Sequence, residues 1–139
     1  MNEVIVIETR LPDACLNPNV MVHRMVEYRA AKAQRQRVAD CIRVLYPQFV
    51  DAGWEAAEIS YAFYHAVRRG RDDDNFKRMM KSARDAFGPQ RVSRKGNVIP
   101  GTGVVIDDTV IKDNQSVEFN IDQDERVVIT LRRTETPND

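Results

Sequence analysis

The stretch "ISYAFYHAVRRGRDDDNFKRMMKSARDAFGP", residues 59–89, changes its hydrophobic period midway, and that change decides the fold. From Ile59 the period is two. Ile59, Tyr61, Phe63, His65 and Val67 share one face, and Ser60, Ala62, Tyr64 and Ala66 the other, which predicts a strand. From Asp74 the period is helical. Phe76, Met79, Met80, Ala83, Ala86 and Phe87 follow the i, i+3, i+4, i+7 rule, Gly88 is a natural C-terminal cap, and Pro89 ends the helix. The methionines and phenylalanines read as core. Between strand and helix stand Asp72, Asp73 and Asp74, three carboxylates that repel one another.

Working outward, "EVIVIETRL" near the N-terminus reads as a strand buried on both faces, because Val4 to Ile7 are all β-branched. Pro12, Asn17, Pro18 and Asn19 predict a long loop. "EYRAAKAQRQRVADCIRVLY" repeats Tyr28, Ala31, Val38, Cys41 or Ile42, and Leu45 at helical spacing, an amphipathic helix that Pro47 ends. Downstream, "GPQRVSRKGNVIPGTG" predicts an inserted, flexible loop over about 88–103, long enough to be a functional flap. "VVIDDTVIK", "SVEFNI" and "RVVITLRR" read as strands, with "DQDE" as a hairpin turn between the last two and a frayed tail over about 134–139. The order gives one α+β domain over 1–139, a mixed sheet packed against two main helices.

The formal net charge is zero, yet the charges are segregated. Arg68 to Lys95 holds ten basic and four acidic residues, Arg24 to Arg43 six and two, and Asp107 to Asp139 four and nine. Two basic segments allow a positive face for phosphates that the net charge hides. Cys15 and Cys41 form no CxxC or His/Cys cluster, which argues against structural zinc and fits a reducing cytoplasm. No apolar run approaches the roughly 20 residues that span a bilayer, and "MNEVIVIETR" has no basic region ahead of its apolar run, so neither a membrane span nor a signal peptide is expected.

Only His23 and His65 could serve as imidazole bases, and His65 falls on an apolar strand face. The carboxylates carry more. In an extended segment Asp72 and Asp74, two apart, aim the same way and make a hard, oxygen-rich site suited to Mg²⁺ or Mn²⁺. Asp74 is equally a good N-cap. Asp107 and Asp108 form a second pair after an apolar run. If the pairs meet, three or four carboxylates could hold one or two divalent ions, and a metal-bound water could attack a phosphodiester. Arg68, Arg69, Arg71, Lys77, Arg78, Lys81 and Arg84 would face the remaining phosphates. Arg24, Arg29 and Lys32 of the first basic segment extend the expected DNA grip.

"RDDDNF", "KSARDAF" and "GVVIDD", in this order, resemble the RusA family of Holliday-junction resolvases, whose hallmark is Asp-x-Asp-Asn, then a helix with a Lys four before its Asp-Ala-Leu-like end, then Asp-Asp after Gly and an apolar run. "LNPNVMVHRMVEYRAAKAQR" looks like the loop and first helix of phage-type members, so the resemblance runs from about Leu11 to Asp108. It implies a RusA-like fold and a Mg²⁺-dependent endodeoxyribonuclease that cuts four-way junctions in recombination or repair as a homodimer. Asp72 and Asp74 match the first two metal carboxylates, Asp108 the third with Asp107 beside it, and Lys81 the functional lysine. Two departures stand out. Lys81 lies seven after Asp74, where counting forward gives Arg78, and the stretch between the acidic motifs is long. A non-catalytic DNA-binding or regulatory protein on the same scaffold is the alternative. A generic α+β interaction module, with the acids as caps and turns, is the third.

Overall fold

The fold is seen in a computed structural model that describes residues 3–67, 73–114 and 117–135, with the backbone alone at Asp73 and Asp74. It is α+β with a mixed sheet. The elements are β1 (Val4–Thr9), α1 (Arg24–Leu45), β2 (Ala57–His65), α2 (Asp73–Met79), α3 (Lys81–Asp85), β3 (Arg91–Val92), β4 (Val98–Ile99), β5 (Ile111–Asp113), β6 (Glu118–Ile121) and β7 (Arg126–Arg133). The main sheet runs β1-β7-β2, antiparallel throughout, and β2 then pairs in parallel with β5 at its start and with β6 at its end. β3 and β4 form a separate two-stranded hairpin.

The alternation read in β2 holds: Ala57, Ile59, Tyr61, Phe63 and His65 are buried, every second residue. With Ile5 and Ile7 of β1 and Val127, Ile129 and Leu131 of β7 they form one sheet face, covered by Val38 and Ile42 of α1 and by Met80, Ala83 and Phe87. Each large side chain so buried contributes roughly 1.5–3 kcal/mol.

Several local expectations change. β1 is an edge strand with one buried face, and Val6 is 43% exposed. β2 ends at His65, so Val67 falls beyond it and is exposed. On α1 the buried stripe is Ala30, Gln34, Val38 and Ile42, while Tyr28 and Leu45 face out, because the stripe follows i+4 steps through a polar residue. "VVIDDTVIK" is not one strand: a 3₁₀ turn at Asp108–Val110 interrupts it. "DQDE" is not a hairpin turn, since β6 and β7 lie on opposite sides of β2. Its residues instead wrap the end of β2, with Asp122 N–H donating to His65 O at 2.8 Å and Ala66 N–H to Glu125 Oε2 at 2.9 Å.

The second helix is two. In a continuous α-helix Ala83 N–H would donate to Met79 O. Here the buried amide of Gln34, from α1, stands between them: its Nε2 donates to Met79 O at 3.0 Å, and its Oε1 accepts from Ala83 N–H at 3.2 Å. A side chain inserted into the helical ladder is a recognised cause of kinks. The helix then ends without a left-handed Gly88. The expected flexible loop 88–103 contains the β3–β4 hairpin, turned at Gly96 with φ +84°.

Candidate functional site: an acidic mouth and a basic hollow

Asp107 and Asp108 are fixed by the chain just before them. Gly101 to Val105 are buried between two backbone segments. On one side Thr102 N–H donates to Ala86 O and Gly88 O, and Val105 N–H to Phe87 O. On the other, Asp51, Gly53 and Trp54 N–H groups donate to Thr102, Gly103 and Val104 carbonyls. Contact with the end of α3 is so close that a Cβ at Gly101 would lie 2.5 Å from Gly88 O. This docking brings the Asp107–Asp108 turn against Asp85.

Asp107 caps the 3₁₀ turn, its Oδ1 accepting from Thr109 N–H at 3.0 Å. That bond first, then Asp108, holds the Asp107 carboxyl below its usual range. Asp108 is pushed the other way, first by sharing a proton with Asp107, then by burial and by Asp85. Arginines answer the charge only partly. Arg91 of β3 stands 3.8 Å from Asp107 and 3.5 Å from Asp108, half-exposed, and Arg35 of α1 bonds Asp85 at 2.9 Å. Arg35, Asp85, Arg91 and Asp108 with Gly88, Pro89, Ile99 and Pro100 line a hollow of about 100 Å³.

Of the other residues singled out in the sequence, Asp72, Arg68, Arg69 and Arg71 lie outside the described residues, and Asp74 is described by its backbone alone. That backbone is already helical, since α2 begins at Asp73, so Asp74 does not stand in the extended segment expected ahead of the helix, and it lies at the end of α2 remote from Asp108. Phe76 packs on Phe63 and His65 toward the end of β2 and on Phe119 of β6, whereas Asp85 meets Asp108 at the other end of the two-helix run. The run from Asp74 to Asp85 corresponds to roughly 15 Å of helix. Among the described residues no group of three or more His, Cys, Asp or Glu side chains is placed to hold a metal ion.

Lys81, Arg78 and Lys77 gather in a separate hollow with Tyr61, Arg84 and Asp113. Arg24, Arg29 and Lys32 are exposed on the first half of α1, and Lys32 lines a groove of about 250 Å³ between α1 and the hairpin. His65 is buried beside Phe63 and Phe76, and His23 caps α1, its Nδ1 accepting from Met25 N–H at 3.1 Å. Both cysteines are free, and no helix among the described residues is long and apolar enough to cross a membrane.

Sequence reasoning did not single out Asp85, Arg35, Arg91 or Gln34 for the site. Asp85 was visible as an isolated acid in a basic stretch, but its partners come from elements remote in sequence. No family model matches the chain, and no curated protein gives a significant match.

Proposed function

We propose that the protein is a metal-dependent endonuclease of RusA type that hydrolyses phosphodiester bonds in branched DNA, with four-way junctions in recombination or repair as its substrate. One observation carries the reading. Asp107 and Asp108 stand side by side at a solvent-open mouth, Asp85 adjoins Asp108, and Asp108 has its proton affinity raised by both. Crowded carboxylates with too little positive charge fit a hard divalent cation. Mg²⁺ is the first candidate, and Mn²⁺ shares its donor preference.

Asp107 and Asp108 would hold the metal beside Asp85; Asp72 and Asp74 match the family's first two metal carboxylates by sequence alone, since the Asp74 backbone lies at the remote end of the helical run and Asp72 outside the described residues. When bound there, a divalent ion would supply charge neutralisation at phosphate oxygens and a more acidic water. The residues of the chain do the rest by binding and orienting. Arg24, Arg29, Lys32, Lys77 and Arg78, with Arg69 and Arg71, grip backbone phosphates, and Lys81 steadies the scissile region. A homodimer matches the two-fold symmetry of a junction. Its support is an uncovered apolar segment, Val20, Met21, Val22, Met25 and Val26, with Met21 99% exposed. Free cysteines accord with a reducing cytoplasm.

A second reading, DNA binding without cleavage, is favoured by the remoteness of the α2 start from Asp108 and by Arg91 answering the acid pair. Labelled four-way, forked and linear DNA, incubated with and without Mg²⁺, separates the two. The nuclease reading expects Mg²⁺-dependent cutting of the branched substrates, lost in Asp74→Asn and in Asp108→Asn while junction binding persists. Salt-sensitive binding with no cutting selects the second reading, and full cutting by either variant contradicts the assigned carboxylates.

A further inference from the structure

The groove of about 250 Å³ between α1 and the β3–β4 hairpin has no carboxylate in its lining. Tyr28 and Ala31 of α1 form one wall, and Val98, Ile99 and Pro100 the other. Tyr28 is 52% exposed and Val98 54%. Among the described residues the Tyr28 ring has no aromatic or cationic partner, and its hydroxyl has no hydrogen bond. A half-exposed ring opposite a half-exposed valine leaves two apolar surfaces that a flat guest would cover.

Two observations say what kind of guest. The groove shares Arg35, Ile99 and Pro100 with the hollow at Asp108. A guest seated on Tyr28 is therefore one side chain away from the mouth where the proposed metal would meet a phosphate. Along α1, Arg24, Tyr28, Lys32 and Arg35 follow one another at i+4, i+4 and i+3 steps, a single stripe. Arg24 and Lys32 are exposed and have no ion pair among the described residues. They bracket the ring with cations that the proposed function already gives to backbone phosphates. Rings set between such cations are how single strands are held, because every base offers a π-face. Ser82 and Asn97 add a hydroxyl and an amide to the lining, able to meet the donors and acceptors of a base edge.

We propose that this groove takes an unpaired nucleobase of the DNA strand at the acidic mouth, stacked on Tyr28 against Val98. A branch point is where duplex DNA most readily offers such a base. The proposal deepens the nuclease reading and rests on it for which strand fills the groove. Its test needs neither metal nor cleavage, so the two can fail separately.

An oligothymidylate and an abasic deoxyribose-phosphate oligomer of equal length carry the same charge and differ only in their bases. Fluorescence anisotropy in EDTA at fixed ionic strength compares their binding. The wild type is expected to prefer the thymidylate. Tyr28→Ala is expected to bind the thymidylate at least about fivefold more weakly with abasic binding unchanged, and Tyr28→Phe to keep the preference. Misfolding would weaken both probes together. The preference without Mg²⁺-dependent cutting of branched DNA would contradict the nuclease reading alone. The proposal is overturned if the wild type binds neither probe or both alike, or if Tyr28→Ala keeps the preference within about twofold. Kept preference with self-association lost in Tyr28→Ala, read by sedimentation, would overturn it in favour of a second copy of the chain.

Discussion

Arg84 and Asp85 are consecutive residues of α3, and they enter opposite chemistries. Asp85 joins Asp107 and Asp108, an acidic mouth whose excess charge Arg35 and Arg91 only partly answer. Arg84 joins Lys77, Arg78 and Lys81 in a basic hollow, where Asp113 is the acid among the described lining residues. The comparison shows how a chain of zero net charge can gather acids around one residue of a helix and bases around the next. It also shows why net charge said nothing of either.

The sharpest way to break the comparison is to loosen the docking that holds the acid pair against the end of α3. Phe87 is fully buried, and its carbonyl accepts from Val105 N–H just ahead of the acid pair. Phe87→Ala is expected to cost about 3–5 kcal/mol in denaturant unfolding. Gln34→Leu comes next. It deprives Met79 O and Ala83 N–H of their buried partner and is expected to cost about 2 kcal/mol by the same assay. An unchanged midpoint would show that the kink at Met80 closes on its own.

Smaller effects sharpen the electrostatic contrast. Arg35→Met leaves the half-buried Asp85 without its counter-charge, with an expected loss of about 1–2 kcal/mol and a further rise in Asp108 proton affinity by NMR titration. Asp108→Asn should reveal a pH-dependent gain. Its folded-state proton affinity is raised, so its contribution is intact below the unfolded carboxylate range and is lost as pH rises through the folded one. The melting temperature of Asp108→Asn relative to wild type is therefore expected to climb from acid to neutral pH. A difference that stays flat with pH would remove Asp85 and Asp107 as the cause.

The elements that repeat a local period were legible in the sequence. Ile59, Tyr61 and Phe63 alternate because one sheet face is buried, and Val127, Ile129 and Leu131 do so beside them. Met80, Ala83 and Phe87 are core as their spacing predicts. What escaped depends on partners far along the chain. Nothing near Met80 announces a break; the cause is Gln34, 45 residues from Met79. "DQDE" has hairpin chemistry, but only the insertion of β2 between β6 and β7 shows that it closes no hairpin. Asp107 and Asp108 stood out as a pair, whereas Asp85 and Arg91 become their neighbours only through the docking of Gly101 to Val105 on α3. Lys81 and Arg78 competed as alternatives for one role by counting; in the fold they line the same hollow.

The central claim is that a divalent cation belongs at the acidic mouth. A Mn²⁺ titration followed by amide NMR tests it without DNA and without cleavage. Paramagnetic broadening is expected to begin at Asp107, Asp108 and Asp85, to compete with Mg²⁺, and to vanish in Asp108→Asn. Broadening that spares those three residues, or survives unchanged in Asp108→Asn, would contradict the account.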